Sequence, residues 1–159
     1  MKTKYYLAYG SNLNVSQMLA RCPGAKIVGT TEIPGCELLF KGSLTGAYLT
    51  IEKKPGGRVP AAVWATTAAD EASLDRYEGC PAFYYKTEMQ LPVREIRGSR
   101  IRRLTVYVYI MHEERRPGIP SRAYVETCLA GYDDFGLPEE VLLEAVRNTW
   151  RLCYEGRKQ

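Results

Sequence analysis

Tyr5-Tyr6-Leu7-Ala8-Tyr9-Gly10-Ser11-Asn12-Leu13 decides how this chain is read. Its first five residues are aromatic or apolar without a break, the pattern of a buried β-strand. Gly10-Ser11-Asn12 interrupts the run, and a helical pattern follows: Val15, Met18, Leu19 and Cys22 fall at i, i+3, i+4 and i+7. Asn14 is placed to cap that helix, with Gln17 three residues on as the reciprocal partner. Strand, glycine loop and helix start in quick succession turn several unpaired backbone N–H groups toward one point, beside the positive end of a helix. Such a loop suits a carboxylate or a developing oxyanion. A strand–glycine–helix junction can equally do no more than join two elements, and a short glycine motif alone does not separate these readings.

Downstream, strands are expected over 26–31, 36–41, 48–53 and 59–66. They are separated by Pro34-Gly35, a turn region over 42–46 and a hairpin signal at Pro55-Gly56-Gly57. A helix over 67–79 is framed by Thr67 and Asp70 at capping-box spacing and by Gly79 as a C-cap glycine. Residues 83–93 alternate, with Phe83, Tyr85, Thr87, Met89, Leu91 and Val93 on one face and Tyr84, Lys86, Glu88 and Gln90 on the other. A turn at 97–100 leads into a strand over 101–111, and residues 117–120 read as a rigid loop. Ser121 caps a helix to about residue 130. Leu137-Pro138-Glu139 opens the last helix, to about residue 154, with Val141, Leu142, Ala145, Val146 and Trp150 as its apolar side. Many strands and few helices favour a mixed, mostly antiparallel small β-barrel with flanking helices, an α/β (α+β) architecture, as a single domain over 1–159.

A chain of 159 residues, 45% hydrophobic and 25% charged, has enough apolar material for one real core. No apolar run approaches the roughly 20 residues of a membrane span, and the N-terminal run is too short and too aromatic for a signal peptide. The expected location is the cytoplasm, with no membrane partner. Five cysteines, odd in number and without CxxC spacing, argue against a disulfide framework or a zinc site. His112 is the one histidine, which weakens any metal centre or Ser-His-Asp triad, so neither metal nor cofactor is expected. The formal charge is +4, much of it in Arg94, Arg97, Arg100, Arg102 and Arg103 and in Arg115-Arg116. The first group reads as a solvated hairpin tip. Aromatics are not interleaved with it as a stacking platform for RNA would need, so no nucleic-acid partner is expected. A mild positive excess suits small anionic substrates.

Among the acids, Glu78 in Leu74-Asp75-Arg76-Tyr77-Glu78-Gly79 stands out. Leu74 and Tyr77 mark the buried stripe of their helix, and Glu78 borders it in the last turn, where the helix dipole disfavours negative charge. Partial burial and nearby Glu71 and Asp75 push the same way, toward a raised pKa. The alternative is an exposed helix-end glutamate of little consequence. Glu88 reads as a surface pair with Lys86, and Glu71 and Asp75 as exposed.

Tyr9-Gly10-Ser11-Asn12-Leu13, then Leu74-Asp75-x-x-Glu78-Gly79, then Phe83-Tyr84-Tyr85, resembles the γ-glutamylcyclotransferase family, which includes the AIG2-like proteins. Arg21-Cys22-Pro23, Tyr124 in Ser121-x-x-Tyr124, and Gly131-Tyr132 before Gly136-Leu137-Pro138 match in order and spacing, so the similarity covers nearly the whole chain. Ala61 stands where a glycine is frequent in the family, a departure that touches local packing and not the site. The resemblance implies a mixed α/β fold around a small barrel and a small-molecule γ-glutamyl substrate. It implies that Tyr6, Leu7, Ala8, Tyr9, Gly10, Ser11 and Asn12 bind the γ-glutamyl part, largely through backbone atoms. It also implies that Glu78 is the general base and that Tyr124 lines the pocket, with Tyr84 and Tyr109 as further carry-overs.

The implied reaction is cyclisation of a γ-glutamyl amine or amide to 5-oxoproline, with release of the amine. It needs few protein groups, which matches a chain without metal or triad. A non-catalytic module of the same fold that binds a γ-glutamyl-like ligand is the alternative. A sister enzyme for γ-glutamylamines or γ-glutamyl-protected precursors would share the site and differ in the leaving group. Loops 42–46 and 112–120 are the expected rim that selects it.

Overall fold

Strand follows strand for most of this chain, and five of them close on themselves. The computed structural model describes residues 3–43 and 46–157. β1 (Lys4–Ala8) runs into a 3-10 turn (Ser11–Leu13) and α1 (Val15–Arg21). β2 (Lys26–Ser43) and β3 (Gly46–Thr66) form a long antiparallel ribbon, and α2 (Ala68–Tyr77) follows. β4 (Tyr84–Glu95) and β5 (Ile101–Met111) form a second hairpin. A short β6 (Arg116–Pro117), α3 (Arg122–Asp134) and α4 (Glu139–Arg157) complete the order. Hydrogen-bonded neighbours run β3-β1-β5-β4-β2, and β2 returns to β3, so the barrel is shut; β6 adds to β2. β1 and β5 are parallel and the other pairs antiparallel. This is the mixed, mostly antiparallel barrel with flanking helices that the strand pattern favours. Among the described residues, no helix is long and apolar enough to cross a membrane.

Two expected interruptions are instead bends within strands. β2 continues through Pro34-Gly35 and β3 through Pro55-Gly56-Gly57. The register passes from Pro34↔Arg58 to Cys36↔Lys53, so extra residues on β3 bulge out opposite Gly35. Gly35 and Gly56 take positive φ (67° and 79°), and a Cβ at Gly57 would stand 2.2 Å from the Cys36 carbonyl oxygen. The glycines therefore bend a ribbon rather than reverse it. Reversal comes between the paired Ser43 and Gly46; residues 44–45 of the expected 42–46 turn lie outside the described residues.

The helices correct three further expectations. In α1, Met18 is fully buried and Cys22 just beyond it likewise, but Leu19 is exposed. In α4 the buried line is Leu142, Ala145 and Thr149, which leaves Trp150, one residue round the wheel, 59% exposed. α3 runs past residue 130 to Asp134 because Gly131 is not a stop. It is a point of close approach: a Cβ there would lie 2.6 Å from the Asn14 nitrogen and from Leu13. The chain turns only at Gly136 (φ 64°). Through Gly131, α3 presses directly on the turn that follows β1.

Candidate active site

Gly10 caps the 3-10 turn. Leu13 N–H donates to the Gly10 carbonyl and Asn14 N–H to the Ser11 carbonyl, both at 3.0 Å. The amides of Ser11 and Asn12 precede the first of these bonds and have no acceptor within the turn. The positive end of α1 is another matter. Asn14 Oδ1 accepts from Gln17 N at 3.1 Å, and Val15 N–H donates to Asp134 Oδ2 of α3 at 2.9 Å. That helix end is already met by oxygens, so any anion-holding falls to the turn. The reciprocal arm expected of Gln17 is absent; its Oε1 accepts from Arg21 Nη2 at 3.0 Å.

Glu78 is positioned from the other side of the barrel mouth. A full capping box starts α2: Asp70 N–H donates to Thr67 Oγ1 at 3.1 Å and Thr67 N–H to Asp70 Oδ2 at 3.0 Å. Leu74 is fully buried and pins the helix to the core. Glu78 is the C-cap residue, its N–H bonded to the Leu74 carbonyl at 2.9 Å, and Gly79 follows at φ 60°. The chain thus leaves the helix directly after Glu78.

A cavity of about 450 Å³ joins these parts. Its wall contains Tyr6, Leu7, Tyr9, Gly10, Ser11, Asn12, Glu78 and Tyr124 of the expected set, with Tyr84 and Tyr109. Ala8 does not share that wall; it is buried in β1 opposite Ala62. Tyr48, Leu49, Arg76, Tyr77, Gly79 and Phe83 complete the lining. The sequence reading gave none of these a site role. Gly79 and Phe83 stand in its motifs, but Tyr48 carries no local signal and enters the site only because the fold brings it edge to face with Phe83.

Burial pushes the Glu78 carboxyl up to about 7, and the Arg21 guanidinium works against the rise. Glu71 and Asp75 do not join in the push, contrary to expectation. Lys86 Nζ stands 2.7 Å from Glu71 Oε2 and 3.0 Å from Asp75 Oδ1, and Tyr109 donates to Asp75 Oδ1 at 2.6 Å. Burial alone would raise both acids, but these bonds, with Lys4 beside Glu71, hold them below the usual carboxylate range. Lys86 therefore pairs with α2, not with Glu88, and Tyr84 on the same strand face is buried against the cavity.

The phenols keep their protons. Burial first, and the charge of Glu78 next, raise Tyr6 and Tyr9 well above their ordinary value; burial does the same for Tyr84 and Tyr124. Tyr9 donates to the Tyr109 carbonyl at 2.6 Å and Tyr84 to the Leu49 carbonyl at 2.8 Å. Leu49 N–H donates to the Tyr124 hydroxyl at 3.0 Å. These rings shape the cavity rather than move protons.

The folded Glu78 carboxyl titrates near 7 against an ordinary 4.5, so folding favours its protonated form. The stability tied to this is whole below about pH 4.5 and is lost as pH rises through 7, about 3 kcal/mol in all. Glutamine does not ionise. Glu78→Gln is expected to match the parent near pH 4 and to exceed it by about 2–3 kcal/mol at pH 8, read by urea unfolding at both pH values. Equal stabilities at pH 8 would mean that the carboxylate is not desolvated.

Fold and site together define a small closed barrel with a cavity lined by both the turn after β1 and the half-buried Glu78. A family model described as "Gamma-glutamyl cyclotransferase, AIG2-like" matches residues 6–126. Mouse gamma-glutamylcyclotransferase is 31% identical over 148 residues, 87% of this chain and 75% of that protein. The human gamma-glutamylcyclotransferase is 32% identical over 144 residues, 85% of this chain and 73% of that one. A solved structure described as gamma-glutamyl cyclotransferase superposes with a TM-score of 0.75 at 26% identity, over 95% of this chain and 88% of that one. The chain belongs to the gamma-glutamyl cyclotransferase, AIG2-like family.

Proposed function

We propose that this protein is a γ-glutamylcyclotransferase-type enzyme that cyclises a γ-glutamyl amine or amide to 5-oxoproline and releases the amine, with Glu78 as general base. The observation that carries this reading is one cavity shared by the turn amides and a carboxyl group held near pH 7. The substrate's α-amine arrives as an ammonium, which has no lone pair for attack. Glu78 takes one proton from it, and a carboxylate titrating near the working pH suits that step. The freed nitrogen attacks the γ-carbonyl carbon of the same molecule, and the C–N bond of the ring forms. Protonated Glu78 then returns the proton to the leaving nitrogen as the old C–N bond breaks, and the surplus proton on the new ring nitrogen passes to the released amine, which departs as an ammonium.

Both reacting groups belong to one molecule, so orientation supplies much of the rate; well-held intramolecular reactions reach effective molarities of about 10⁵ M. The amides of Ser11 and Asn12 hold a substrate carboxylate or the tetrahedral oxyanion; losing one such donor to an oxyanion typically costs about 3 kcal/mol of barrier. The deciding experiment is a screen for 5-oxoproline across γ-glutamyl amino acids, glutathione and γ-glutamylamines. Release from at least one class supports the reading. Ligand binding without 5-oxoproline from any would make the protein a γ-glutamyl-binding module.

Gly10 gives a separate test of the turn. A Cβ there would sit 3.4 Å from the Tyr124 hydroxyl and 3.5 Å from Leu49 Cβ, in ordinary contact, so the position itself tolerates a small side chain. Its φ of −126° lies outside the left-handed region that favours glycine. Gly10→Val is expected to act by filling the cavity, weakening binding of a γ-glutamyl ligand about tenfold or more by calorimetry. Unchanged affinity would place the ligand elsewhere.

A further inference from the structure

We infer that Arg21, which lies outside the cavity wall, is a positioning residue that locks the two halves of this site together. The inference rests on the cyclisation reading for what the site does, but its geometry stands apart from it. The turn and the base come from distant parts of the chain, and the Arg21 guanidinium touches both. Arg21 Nη1 donates to Asn12 Oδ1 at 2.6 Å, and Nη2 to Gln17 Oε1 at 3.0 Å. The face of the same group lies 3.7 Å from the ring centroid of Tyr77, the residue before Glu78. The Tyr77 hydroxyl in turn stands 3.0 Å from Ser11 Oγ, so the contacts form a closed circuit: Arg21, Asn12, Ser11, Tyr77 and back to Arg21. Asn12 passes the constraint inward, its Nδ2 donating to the Tyr6 hydroxyl at 3.0 Å.

Only a planar, forked cation can do this. Arginine bonds through separate nitrogens in fixed directions while its face stacks on an aromatic ring; lysine offers one rotatable ammonium and no plane. Tyr77 is 45% exposed, so burial alone does not hold it; the guanidinium and Ser11 do.

Charge follows from position. The groups that face Glu78 are Arg21 from α1, Tyr6 from β1 and Tyr9 just beyond it, Tyr84 from β4, Tyr124 from α3, and Cys80 in the loop after α2. The phenols and the thiol are all raised and neutral at pH 7. Arg76 shares the cavity wall, but its Nη2 turns to Ser73 Oγ at 3.3 Å. Arg21 is thus the cation that favours an ionised Glu78.

Arg21→Met and Arg21→Lys in the full chain separate placement from charge. The readouts are the pH dependence of kcat/KM on a γ-glutamyl dipeptide and an NMR titration of the ¹³C-labelled Glu78 carboxyl, identified by its absence in Glu78→Gln; thermal unfolding controls for folding. Arg21→Met is expected to move the Glu78 midpoint up by about one pH unit and to lower kcat/KM by about 10–100-fold. Arg21→Lys is expected to bring the midpoint back while most of the kcat/KM loss remains. Its Asn12 side-chain amide signals are expected to stay displaced from the parent's. An unmoved midpoint in Arg21→Met, or parent kcat/KM and parent Asn12 signals in Arg21→Lys, would overturn the inference. If Arg21→Met does not fold, Arg21→Lys alone decides the positioning role on those same two readouts. A parent protein that releases no 5-oxoproline would sink the cyclisation reading, while the carboxyl titration and Asn12 signals still decide for Arg21.

Discussion

Replacing Glu78 by glutamine is expected to lower turnover by about 10³-fold or more while leaving the affinity for a γ-glutamyl ligand within about threefold. Glutamine keeps the shape and the hydrogen-bonding reach but takes no proton. No neighbour can step in. Tyr6, Tyr9, Tyr84 and Tyr124 hold their protons well above neutral pH, and Glu71 and Asp75 are tied to Lys86 on the outer side of α2. In the parent, kcat/KM is expected to fall as pH drops through about 7, where the carboxylate takes up its own proton. Single-turnover measurement of 5-oxoproline, with calorimetry for binding, checks both halves. Undiminished turnover in Glu78→Gln would remove this residue from the chemistry.

The second large effect is expected at Gly131, which is not one of the residues lining the cavity. Alanine would favour the helix there by about 1 kcal/mol over glycine on propensity alone. Space reverses the sign. The new methyl would stand 2.6 Å from Asn14 N, the Leu13 carbonyl carbon and Leu13 Cβ, and the first two are backbone that no rotamer change can clear. Either α3 lifts off or the turn after β1 is driven toward the cavity. Gly131→Ala is expected to destabilise the fold by about 2 kcal/mol net and to reduce kcat/KM, since the turn carries Ser11 and Asn12. Chemical denaturation beside steady-state kinetics reads both; a gain in stability would refute the close approach.

Much of this was legible in the chain, and the remainder divides by range. The start of α1 at Asn14, the capping box at Thr67 and Asp70, the alternation of β4 and the Ser121 cap are local codes, and each forms. Pro34-Gly35 and Pro55-Gly56-Gly57 misled because a bulge and a reversal use the same residues; only the pairing of β2 with β3 tells them apart. Trp150 was placed inside by its period, but Thr149 occupies the buried line instead. At the site, Glu78 announced itself by its awkward position at a helix end. The source of its perturbation did not: burial against the cavity, and the Arg21 guanidinium that opposes the rise, come from tertiary packing without local spacing, as does the pairing of Lys86 that holds Glu71 and Asp75 down.

Barrel closure between β2 and β4 is brief, with Gly29↔Glu95 and Thr30↔Arg94 as its register pairs and two further bonds beside them, Ile96 N–H to the Val28 carbonyl at 3.0 Å and Thr31 Oγ1 to the Pro92 carbonyl at 2.7 Å. A Cβ on Gly29 would come within 2.0 Å of the Arg94 carbonyl oxygen, so this seam tolerates no side chain there. It lies at the opposite end of β4 from Tyr84. Few bonds hold it, so amide hydrogens along it are expected to trade with solvent through small local openings, and those near Tyr84 only through larger ones. Exchange at that seam faster than around Tyr84 is the expected mark of a base that opens while the mouth keeps its shape.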